Sequence, residues 1–442
     1  MTHTNLQSAA AAAKQSSHQL SALTPQAKQE VLEAAAAEIE RSAEAIFEAN
    51  RQDVIAARNG SSQDGLSSSA LARMTLSEEK LMQMARSVNA VSGLEDPVGK
   101  VLLQSALDDG LELTRISCPF GVIAAVVEAR PDAVVQLSAL AFKSGNALMI
   151  KAGAEIGRTT EVLLGVFKSA YERAGISADA LINVKSREEL HELLKLDYYI
   201  DLVVPRGSSE LVRFISSNTR IPVLGHADGV CHIYVDAAAD LNLATSVILD
   251  SKIQAPATCN AVETVLVDRR IASGFIPKLI NLLQLGGVKV RGCEETRTIH
   301  GNGVDVVNDD EWHTEYGSLT LALCVVESCD EAIAHVNHFG SHHTDSIITE
   351  DQQAADKFLR EVDSAGVFHN VSTRFSDGYR YGFGAEVGIA TGKLHARGPV
   401  GLEGLVTYKY ILVGKGQCVS QYIGARARKF KHELSATEAA VG

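Results

Sequence analysis

The pattern of hydrophobic positions predicts a helical beginning followed by a β-hairpin. Over residues 29–50, "QEVLEAAAAEIERSAEAIFEAN", apolar residues recur at helical spacing with charged residues between them. No run typical of a strand precedes Val101. The stretch "VLLQSALDDGLELTRISCPF" (101–120) then places apolar segments on both sides of Asp109-Gly110, a dipeptide typical of tight hairpin turns. Residues 101–117 are therefore predicted to form a hairpin.

From Gly121 onward, short apolar runs alternate with helical patterns that end at glycines such as Gly145 and Gly175. This alternation predicts an α/β fold with a parallel, doubly wound sheet and right-handed crossovers. Sheets of this kind bind ligands at the carboxyl ends of their strands. We assign residues 1–225 to a Rossmann-type, nucleotide-binding domain. Its predicted strands are "GVIAAVVE", "NALMIKA", "ALINVKS", "YYIDLVVPRG" and "IPVLGH".

A second α/β series follows and is assigned to residues 226–372, with Cys259 near its beginning. The remaining segment, 373–442, is expected to return to the first domain. It contains "GLVTYKYILVG" (404–414), an alternating aromatic run typical of an edge strand. Because a lone hairpin is marginal in water, we expect the 101–117 hairpin of one subunit to meet the 404–413 strand of a neighbour. The chain is thus expected to be a homo-oligomer, a dimer or larger.

Composition and charge narrow the function classes. A chain of 442 residues suggests two or three domains, and 46% apolar with 21% charged residues is globular. The net charge of −13 argues against general nucleic-acid binding, although a local basic pocket could still take an anionic substrate. No apolar run approaches the roughly 20 residues that span a bilayer, and the N-terminus lacks the pattern of a secretory signal. A cytoplasmic protein without a membrane partner is expected.

Cysteine and histidine patterns give no sign of a metal site. There are seven cysteines and no CxxC motif, which is typical of free thiols in a reducing compartment. "HELLK" (191–195) has Lys195 where a zincin helix would carry its second histidine. His342 and His343 are adjacent, so their rings are expected to point in different directions. No metal ligand is assigned.

Three positions could carry chemistry. Cys259 follows a helix and Pro256 at a predicted turn, where backbone N–H groups lower a thiol pKa and stabilise an oxyanion. A buried, inert cysteine is the commoner alternative. Gly207-Ser208 opens a helix after a strand, which favours phosphate, although capping serines begin many helices. Lys151 ends a strand, where it could hold a ribose or its phosphate, or simply be a solvated lysine.

The order of these features resembles the aldehyde dehydrogenase superfamily. "PFGVIAAVVEARPDAVVQLSALAFKSGNALMIKAG" resembles the segment that ends in the cofactor-binding lysine, "VPRGSSELV" the turn facing the dinucleotide phosphates, and Cys259 the nucleophile. The resemblance extends from about residue 10 to 420. "EARPD", "QAPATCNAVETVL", "EWHTEYGSLTLA", "GSHHTDSIITE" and "KLHARGPVGLEGLVTYKYI" are more specifically similar to the γ-glutamyl phosphate reductase family, also called glutamate-5-semialdehyde dehydrogenases. No glutamate kinase segment precedes them, so a separate reductase is expected.

The resemblance implies a Rossmann-type cofactor domain, an α/β catalytic domain and a β-hairpin flap for oligomerisation. It implies NADPH-dependent reduction of L-glutamyl 5-phosphate to L-glutamate 5-semialdehyde through a thioester on Cys259, the second step of proline biosynthesis, with functional coupling to glutamate 5-kinase. Lys151, Gly207 and Ser208 would bind the cofactor, and lysine at 151 suits the 2′-phosphate of NADP. The substrate-binding candidates are Arg130, Asn260, Lys393 and Arg397, with surface salt bridges as the alternative role of the charged ones.

Two departures from hydrolytic family members bear on the chemistry. Ala129 stands where those enzymes carry an asparagine, and "VLGHADGV" (223–230) lacks their glutamate base. Loss of the base favours an acyl-phosphate reaction whose thioester must avoid water. The backbone N–H of Cys259 remains as oxyanion donor.

Two other functions stay open. The first is a hydrolytic or CoA-acylating dehydrogenase acting on a different aldehyde, which phosphate dependence would distinguish. The second is a non-enzymatic nucleotide-binding protein that retains the fold. The intact "ATCNA" around Cys259 argues against the second.

Overall fold

A computed structural model describes residues 3–59, 68–301 and 303–434. Residues 1, 2 and 435–442, which belong to the ends of the predicted domains, lie outside this part of the chain. The chain divides into two compact units, Met1–Leu224 with Gly401–Gly442 and Gly225–Val400. Each unit is described separately below.

The first unit begins with helices, as the sequence predicts. Within the described residues before Val101 they are α1 (His3–Ser21), α2 (Pro25–Arg41), α3 (Ala43–Asn59), α4 (Ser68–Met74) and α5 (Glu78–Ser92). Thr24 caps α2 by accepting a hydrogen bond from the Ala27 N–H, and Pro25 occupies the first turn, where no N–H donor is needed. The predicted single helix over 29–50 is divided at Ser42, where α2 ends and α3 begins.

The hairpin prediction is confirmed. Strands β1 (Val101–Asp108) and β2 (Leu111–Pro119) pair antiparallel around Gly110, whose φ of 68° lies in the left-handed region that suits glycine.

A parallel sheet follows with the order β5-β4-β3-β6. Its elements are β3 (Val122–Val127), α6 (Pro131–Lys143), β4 (Ala147–Ala152), α7 (Gly157–Arg173), β5 (Leu181–Val184), α8 (Arg187–Leu193), β6 (Leu202–Arg206) and α9 (Ser209–Asn218).

All residues of β3 and β4 are buried, as expected for central strands covered on both faces.

The predicted strand at "IPVLGH" is wrong. Val223 makes only a single bridge to Val203, because Pro222 has no N–H to donate to a sheet and Gly225 follows closely.

The second unit is built on a seven-stranded parallel sheet with the order β10-β9-β11-β8-β7-β12-β13. Its elements are β7 (Cys231–Val235), α10 (Leu241–Ile253), β8 (Val262–Asp268), α11 (Arg269–Leu285), β9 (Lys289–Gly292), α12 (Glu294–His300), β10 (Asp305–Val306), β11 (Thr320–Val326), α13 (Cys329–Phe339), β12 (Thr344–Ile348), α14 (Gln352–Glu361), β13 (Gly366–His369), β14 (Gly388–Ala390) and β15 (Gly398–Val400). Every residue of β7, β8 and β12 is buried.

The return to the first unit comes at Gly401, whereas the sequence placed it at residue 373. Residues 373–400 stay in the second unit because they bond within it. β14 and β15 pair with each other, the Ser376 carbonyl accepts a hydrogen bond from Asn260, and the Ile389 carbonyl bonds to His226. Hydrophobic periodicity could not reveal this boundary, since these strands have only three residues each.

The tail completes the hairpin sheet. β16 (Val406–Val413) pairs antiparallel with β2, and β17 (Glu433–Leu434) pairs with β1, giving the order β16-β2-β1-β17. The prediction that a neighbouring subunit supplies the 404–413 strand is thus corrected, because the same chain supplies it.

Within the described residues, none of the helices combines the length and apolar character needed to cross a membrane.

Candidate active site

Cys259 lies in a short hydrogen-bonded turn between α10 and β8. The Ala261 N–H donates to the Thr258 carbonyl at 2.8 Å, and the Thr258 hydroxyl donates to the Asn260 side-chain oxygen at 3.0 Å. The Asn260 amide in turn donates to the Ser376 carbonyl at 2.8 Å. The Cys259 side chain is half-buried, so its sulfur sits on a braced turn without being sealed in the core.

The backbone of Cys259 rests directly against Gly229. A Cβ atom at Gly229 would lie 2.1 Å from the Cys259 carbonyl oxygen and 2.5 Å from its Cα, far inside contact distance. The Gly229 N–H also donates to Glu315 Oε2 at 2.8 Å, which fixes this glycine in place. Absence of a side chain at residue 229 is therefore what allows Cys259 to occupy its position.

His343, which precedes β12, faces the thiol. Its Nε2 lies 3.2 Å from Cys259 Sγ, and its Nδ1 lies 3.0 Å from the Thr344 hydroxyl oxygen. Burial, and then the neighbouring His226, holds the pKa of His343 well below its usual range, so the ring is neutral. With its proton on Nδ1, the imidazole accepts the Cys259 S–H at Nε2.

His226 completes a cluster around the sulfur. Its Nδ1 donates to the Ile389 carbonyl at 2.7 Å, and its ring meets His343 edge-on with centroids 5.0 Å apart. Ligand atoms of His226, Cys259 and His343 all lie within 4.8 Å of one another. The sequence pattern did not connect either histidine with Cys259, because 84 residues separate His343 from Cys259 in the chain.

A second thiol, that of Cys231, contacts the backbone of Cys259. Its Sγ is 3.3 Å from the Cys259 carbonyl oxygen, and burial raises the pKa of Cys231 well above that of a free thiol. Cys231 therefore remains protonated and donates this bond. All seven cysteines belong to the described part of the chain, and all are free thiols, as predicted.

The first unit contains a separate cavity of about 780 Å³ at the carboxyl ends of its parallel strands. That size falls in the range of about 300–1,000 Å³ typical of small-molecule sites. Lys151 at the end of β4 and Ser208 before α9 both line it, which brings two of the predicted cofactor residues together. Its wall carries charges of both signs, from Arg73, Lys185, Arg187, Glu128, Glu155 and Glu210.

The turn before α9 binds a carboxylate. The Ser208 N–H and hydroxyl donate to the Glu128 carboxylate at 2.7 and 3.1 Å. A Cβ at Gly207 would lie 2.5 Å from that carboxylate carbon, so glycine is needed for the close approach. Lys151 is almost fully buried, its Nζ donates to the Ala152 carbonyl at 2.5 Å, and burial lowers its pKa. An oxyanion-binding turn, a nearby ammonium and apolar walls fit a dinucleotide.

Comparison with known proteins decides the family. Residues 1–299 match the model of the "Aldehyde dehydrogenase family". The chain is 48% identical over 431 residues to a protein of Cyanothece sp. called "Gamma-glutamyl phosphate reductase", with 98% of each chain covered. This chain belongs to the γ-glutamyl phosphate reductases of the aldehyde dehydrogenase family.

Solved structures agree with this assignment. The crystal structure of a γ-glutamyl phosphate reductase from Thermotoga maritima is 37% identical and has a TM-score of 0.90, covering 93% of this chain and 99% of that one. A glyceraldehyde-3-phosphate dehydrogenase of Methanocaldococcus jannaschii, solved in complex with NADP, is only 17% identical with a TM-score of 0.62, covers 94% of this chain and 95% of that one, and shows the fold alone. The predicted family and fold class are confirmed, and the family's cofactor is a nicotinamide dinucleotide.

For this γ-glutamyl phosphate reductase, the predicted substrate-binding residues fall into different surroundings. Lys393 and Arg397 both reach Asp363, with N–O distances of 2.6 and 3.1 Å. Arg130 belongs to the first unit, where it immediately precedes α6. Both ends of the Asn260 amide are bonded within the protein, so in the structure it braces the Cys259 turn.

The reductase also has a cationic residue that the sequence did not single out. Arg374 is only 8% exposed, and its Nε donates to Gln254 Oε1 at 2.9 Å. Burial and then Arg380 lower the pKa of Arg374, whereas the field of Cys259 raises it. Nothing in the pattern of "NVSTRFSDG" distinguishes this arginine from a surface one.

Proposed function

We propose that this chain reduces L-glutamyl 5-phosphate to L-glutamate 5-semialdehyde and phosphate with NADPH, the second step of proline biosynthesis from glutamate. The observation that carries the proposal is the thiol of Cys259 at 3.2 Å from a buried, neutral His343, on a turn fixed by Gly229. A thiol beside a neutral imidazole is a nucleophile paired with a base. The names of relatives that are almost half identical over nearly the full length supply the substrate.

The residues of the second unit supply the acylation step. His343 Nε2 takes the proton of Cys259, and the thiolate attacks the γ-carbonyl carbon of the acyl phosphate. The carbonyl oxygen becomes an oxyanion, for which the Cys259 backbone N–H is the candidate donor. When the carbonyl re-forms, the C–O bond to phosphate breaks, and phosphate leaves with the bonding electrons. The product is a thioester on Cys259.

Reduction completes the reaction. Bound NADPH would supply a hydride to the thioester carbonyl carbon, which leaves the alkoxide of a hemithioacetal on Cys259. Cys259 then leaves as a thiolate, which releases the aldehyde and restores the nucleophile for the next cycle. Splitting the reduction in this way replaces one difficult step by two easier ones.

The carboxylate that follows Cys259 in the chain is held in a buried ion pair. Glu263, four residues beyond Cys259, is completely buried and accepts a 2.7 Å bond from Lys252, itself completely buried. Burial raises the pKa of Glu263 to about 7, and the nearby Lys252 opposes that rise. A carboxylate held in such a pair is engaged elsewhere, which supports phosphate, not water, as the second substrate of the reverse reaction.

Anionic groups of the substrate require cations. We assign Arg374 to this role together with the candidates Arg130, Lys393 and Arg397, because a buried guanidinium fits a carboxylate or phosphate in bidentate fashion. In the first unit, Lys151 would hold the 2′-phosphate of NADPH, while Gly207 and Ser208 would hold its diphosphate. The acyl phosphate would come from glutamate 5-kinase, to which we propose functional coupling.

The reverse reaction tests the proposal. Purified protein is given L-glutamate 5-semialdehyde, NADP and phosphate, and NADPH is followed by its absorbance. We expect formation of NADPH that depends on phosphate and is absent in Cys259→Ala. A rate that is the same when sulfate replaces phosphate would overturn the acyl-phosphate function. A rate that requires CoA would support the CoA-acylating alternative.

A further inference from the structure

Three side chains around the nucleophile have the composition of a metal site. His226, Cys259 and His343 offer two imidazole nitrogens and one sulfur, all within 4.8 Å of one another. Bond lengths to tetrahedral zinc of about 2.3 Å for sulfur and 2.0–2.1 Å for nitrogen require S–N separations of roughly 3.6 Å. The observed 3.2 Å between Cys259 Sγ and His343 Nε2 is within a small side-chain adjustment of that value.

Hydrogen bonds already orient both imidazoles as ligands. His226 Nδ1 must carry its proton, because its partner at 2.7 Å, the Ile389 carbonyl oxygen, can only accept. Coordination of a metal ion by His226 would therefore use Nε2, the other ring nitrogen. His343 is held in a similar way, with Nδ1 at 3.0 Å from the Thr344 hydroxyl oxygen and Nε2 toward the sulfur. Such outer bonds fix the tautomer and ring orientation of metal-binding histidines.

We propose that a borderline or soft divalent cation, with Zn²⁺ as the type, binds reversibly to Cys259, His226 and His343 and inhibits the enzyme. Two nitrogens and a thiolate leave the fourth tetrahedral position to water. The donor set excludes Mg²⁺ and Ca²⁺, which require oxygen ligands. On binding, the S–H proton goes to the buffer, a sulfur–metal bond forms and metal-bound waters leave, with no change of oxidation state.

Metal binding and catalysis exclude each other at this site. The sulfur lone pair that attacks the substrate is the one that the cation would take, so inhibition is expected to compete with the acyl substrate and to be reversed by a chelator. A sequence pattern could not predict such a site, because its ligands come from three distant segments and share no spacing motif. The bound ion would be an inhibitor and not a resident cofactor.

The test uses Co²⁺ as a spectroscopic substitute for Zn²⁺, with the full chain. Tetrahedral Co²⁺ bound to a thiolate is expected to give visible bands and a near-ultraviolet sulfur-to-cobalt band at one ion per chain. Cys259→Ala should abolish the sulfur band, and His226→Asn should weaken binding at least about tenfold. Cys418→Ser, which removes an exposed thiol, is the matched control and should behave like the wild type.

A second measurement needs no variant. Iodoacetamide alkylation of the wild type is mapped to individual cysteines by mass spectrometry, with and without equimolar Zn²⁺. We expect Zn²⁺ to protect Cys259 selectively and EDTA to restore its alkylation. Three results would each overturn the proposal. The first is unchanged alkylation of Cys259, and the second is protection confined to other cysteines, such as Cys293 and Cys324. The third is full Co²⁺ affinity in both His226→Asn and His343→Asn.

Discussion

The position of the candidate nucleophile, Cys259, depends on a residue that has no side chain. Gly229 approaches Cys259 so closely that a methyl group would lie 2.1 Å from its carbonyl oxygen. The backbone of the Cys259 turn must then move, and it is held by bonds to Thr258, Ala261 and Asn260. Catalytic geometry is sensitive to shifts of this size.

We therefore expect Gly229→Ala to lower kcat by about a hundredfold, since a displacement of about 1 Å can cost that much. The rate of Cys259 alkylation should change in the same variant, while NADPH binding is retained. Gly274→Ala in α11 is the control, because a Cβ there meets nothing within 4 Å. Normal turnover by Gly229→Ala would show that the turn adapts freely.

Lys151 allows a test of cofactor selectivity. Its buried ammonium lines the cavity of the first unit and donates to the Ala152 carbonyl at 2.5 Å. Lys151→Ala should raise the KM for NADPH roughly ten- to a hundredfold more than that for NADH, as expected for a charge-assisted bond to phosphate. Lys195→Ala, outside this cavity, should change neither. Equal losses with both cofactors would assign Lys151 a different role.

At the scale of elements, α13 carries an acid-sensitive group. His335 packs against Trp312 and Phe339, with ring centroids 5.2 and 4.5 Å away. Burial, then the nearby His232, His338 and His313, lowers the pKa of His335 to about 3. An unfolded histidine titrates near 6.5, so the unfolded state binds more protons between about pH 6.5 and 3. Stability must therefore fall as the pH drops through that window.

His335→Phe should remove this contribution, which is at most about 1.4 kcal/mol per pH unit. The check is urea unfolding followed at pH 7 and pH 5 by the fluorescence of Trp312. The variant should lose less stability on acidification than the wild type, whereas His18→Phe, at an exposed position of α1, should keep the wild-type dependence. Identical pH dependence in His335→Phe and wild type would exclude His335 as the sensitive group.

Strand β16 is the element with the most exposed apolar side chains in the hairpin sheet. Tyr408, Tyr410, Leu412 and Val413 are all at least half exposed, and β16 is an edge strand. Exposed apolar edges pair with other chains. We propose a second copy of this chain as the partner, so Leu412→Glu should lower the mass measured by light scattering. Leu285→Glu, at an exposed leucine ending α11, is the control, and an unchanged mass in Leu412→Glu would contradict the proposal.

At the scale of the molecule, the candidate nucleophile and the cofactor cavity belong to different compact units. Cys259→Ala should therefore abolish turnover yet bind NADPH with nearly wild-type affinity in a fluorescence titration. Cys259→Ser should also be inactive, because a serine hydroxyl is far less acidic than a thiol. A large loss of NADPH affinity in Cys259→Ala would mean that the residue also supports the cofactor site.

Much of the fold was readable from the sequence because buried strands and hairpin turns have strong local signals. The β1–β2 hairpin and the strands β3, β4 and β6 are such cases. The strand predicted over residues 221–226 does not form. Hydrophobic pattern alone takes no account of the N–H donor that Pro222 lacks. The return at Gly401 was missed because β14 and β15 are too short to carry periodicity.

Only the part of the candidate site that adjacent residues mark could be predicted from the sequence. Cys259 was predicted from its turn and its flanking residues. His226, His343 and Arg374 converge on it from segments that no spacing rule connects, and their roles depend on burial. Tertiary packing creates that burial, so a single sequence read locally could not supply it.

The pairing of β16 with β2 has a consequence for synthesis of the chain. The paired residues are roughly 300 positions apart, which corresponds to about 15–60 s of translation at 5–20 residues per second. The whole second unit, a continuous segment from Gly225 to Val400, leaves the ribosome during that interval. A nascent chain must therefore carry β2 with one edge uncovered while its catalytic segment is made, and the hairpin sheet gains its last long strand only as translation ends.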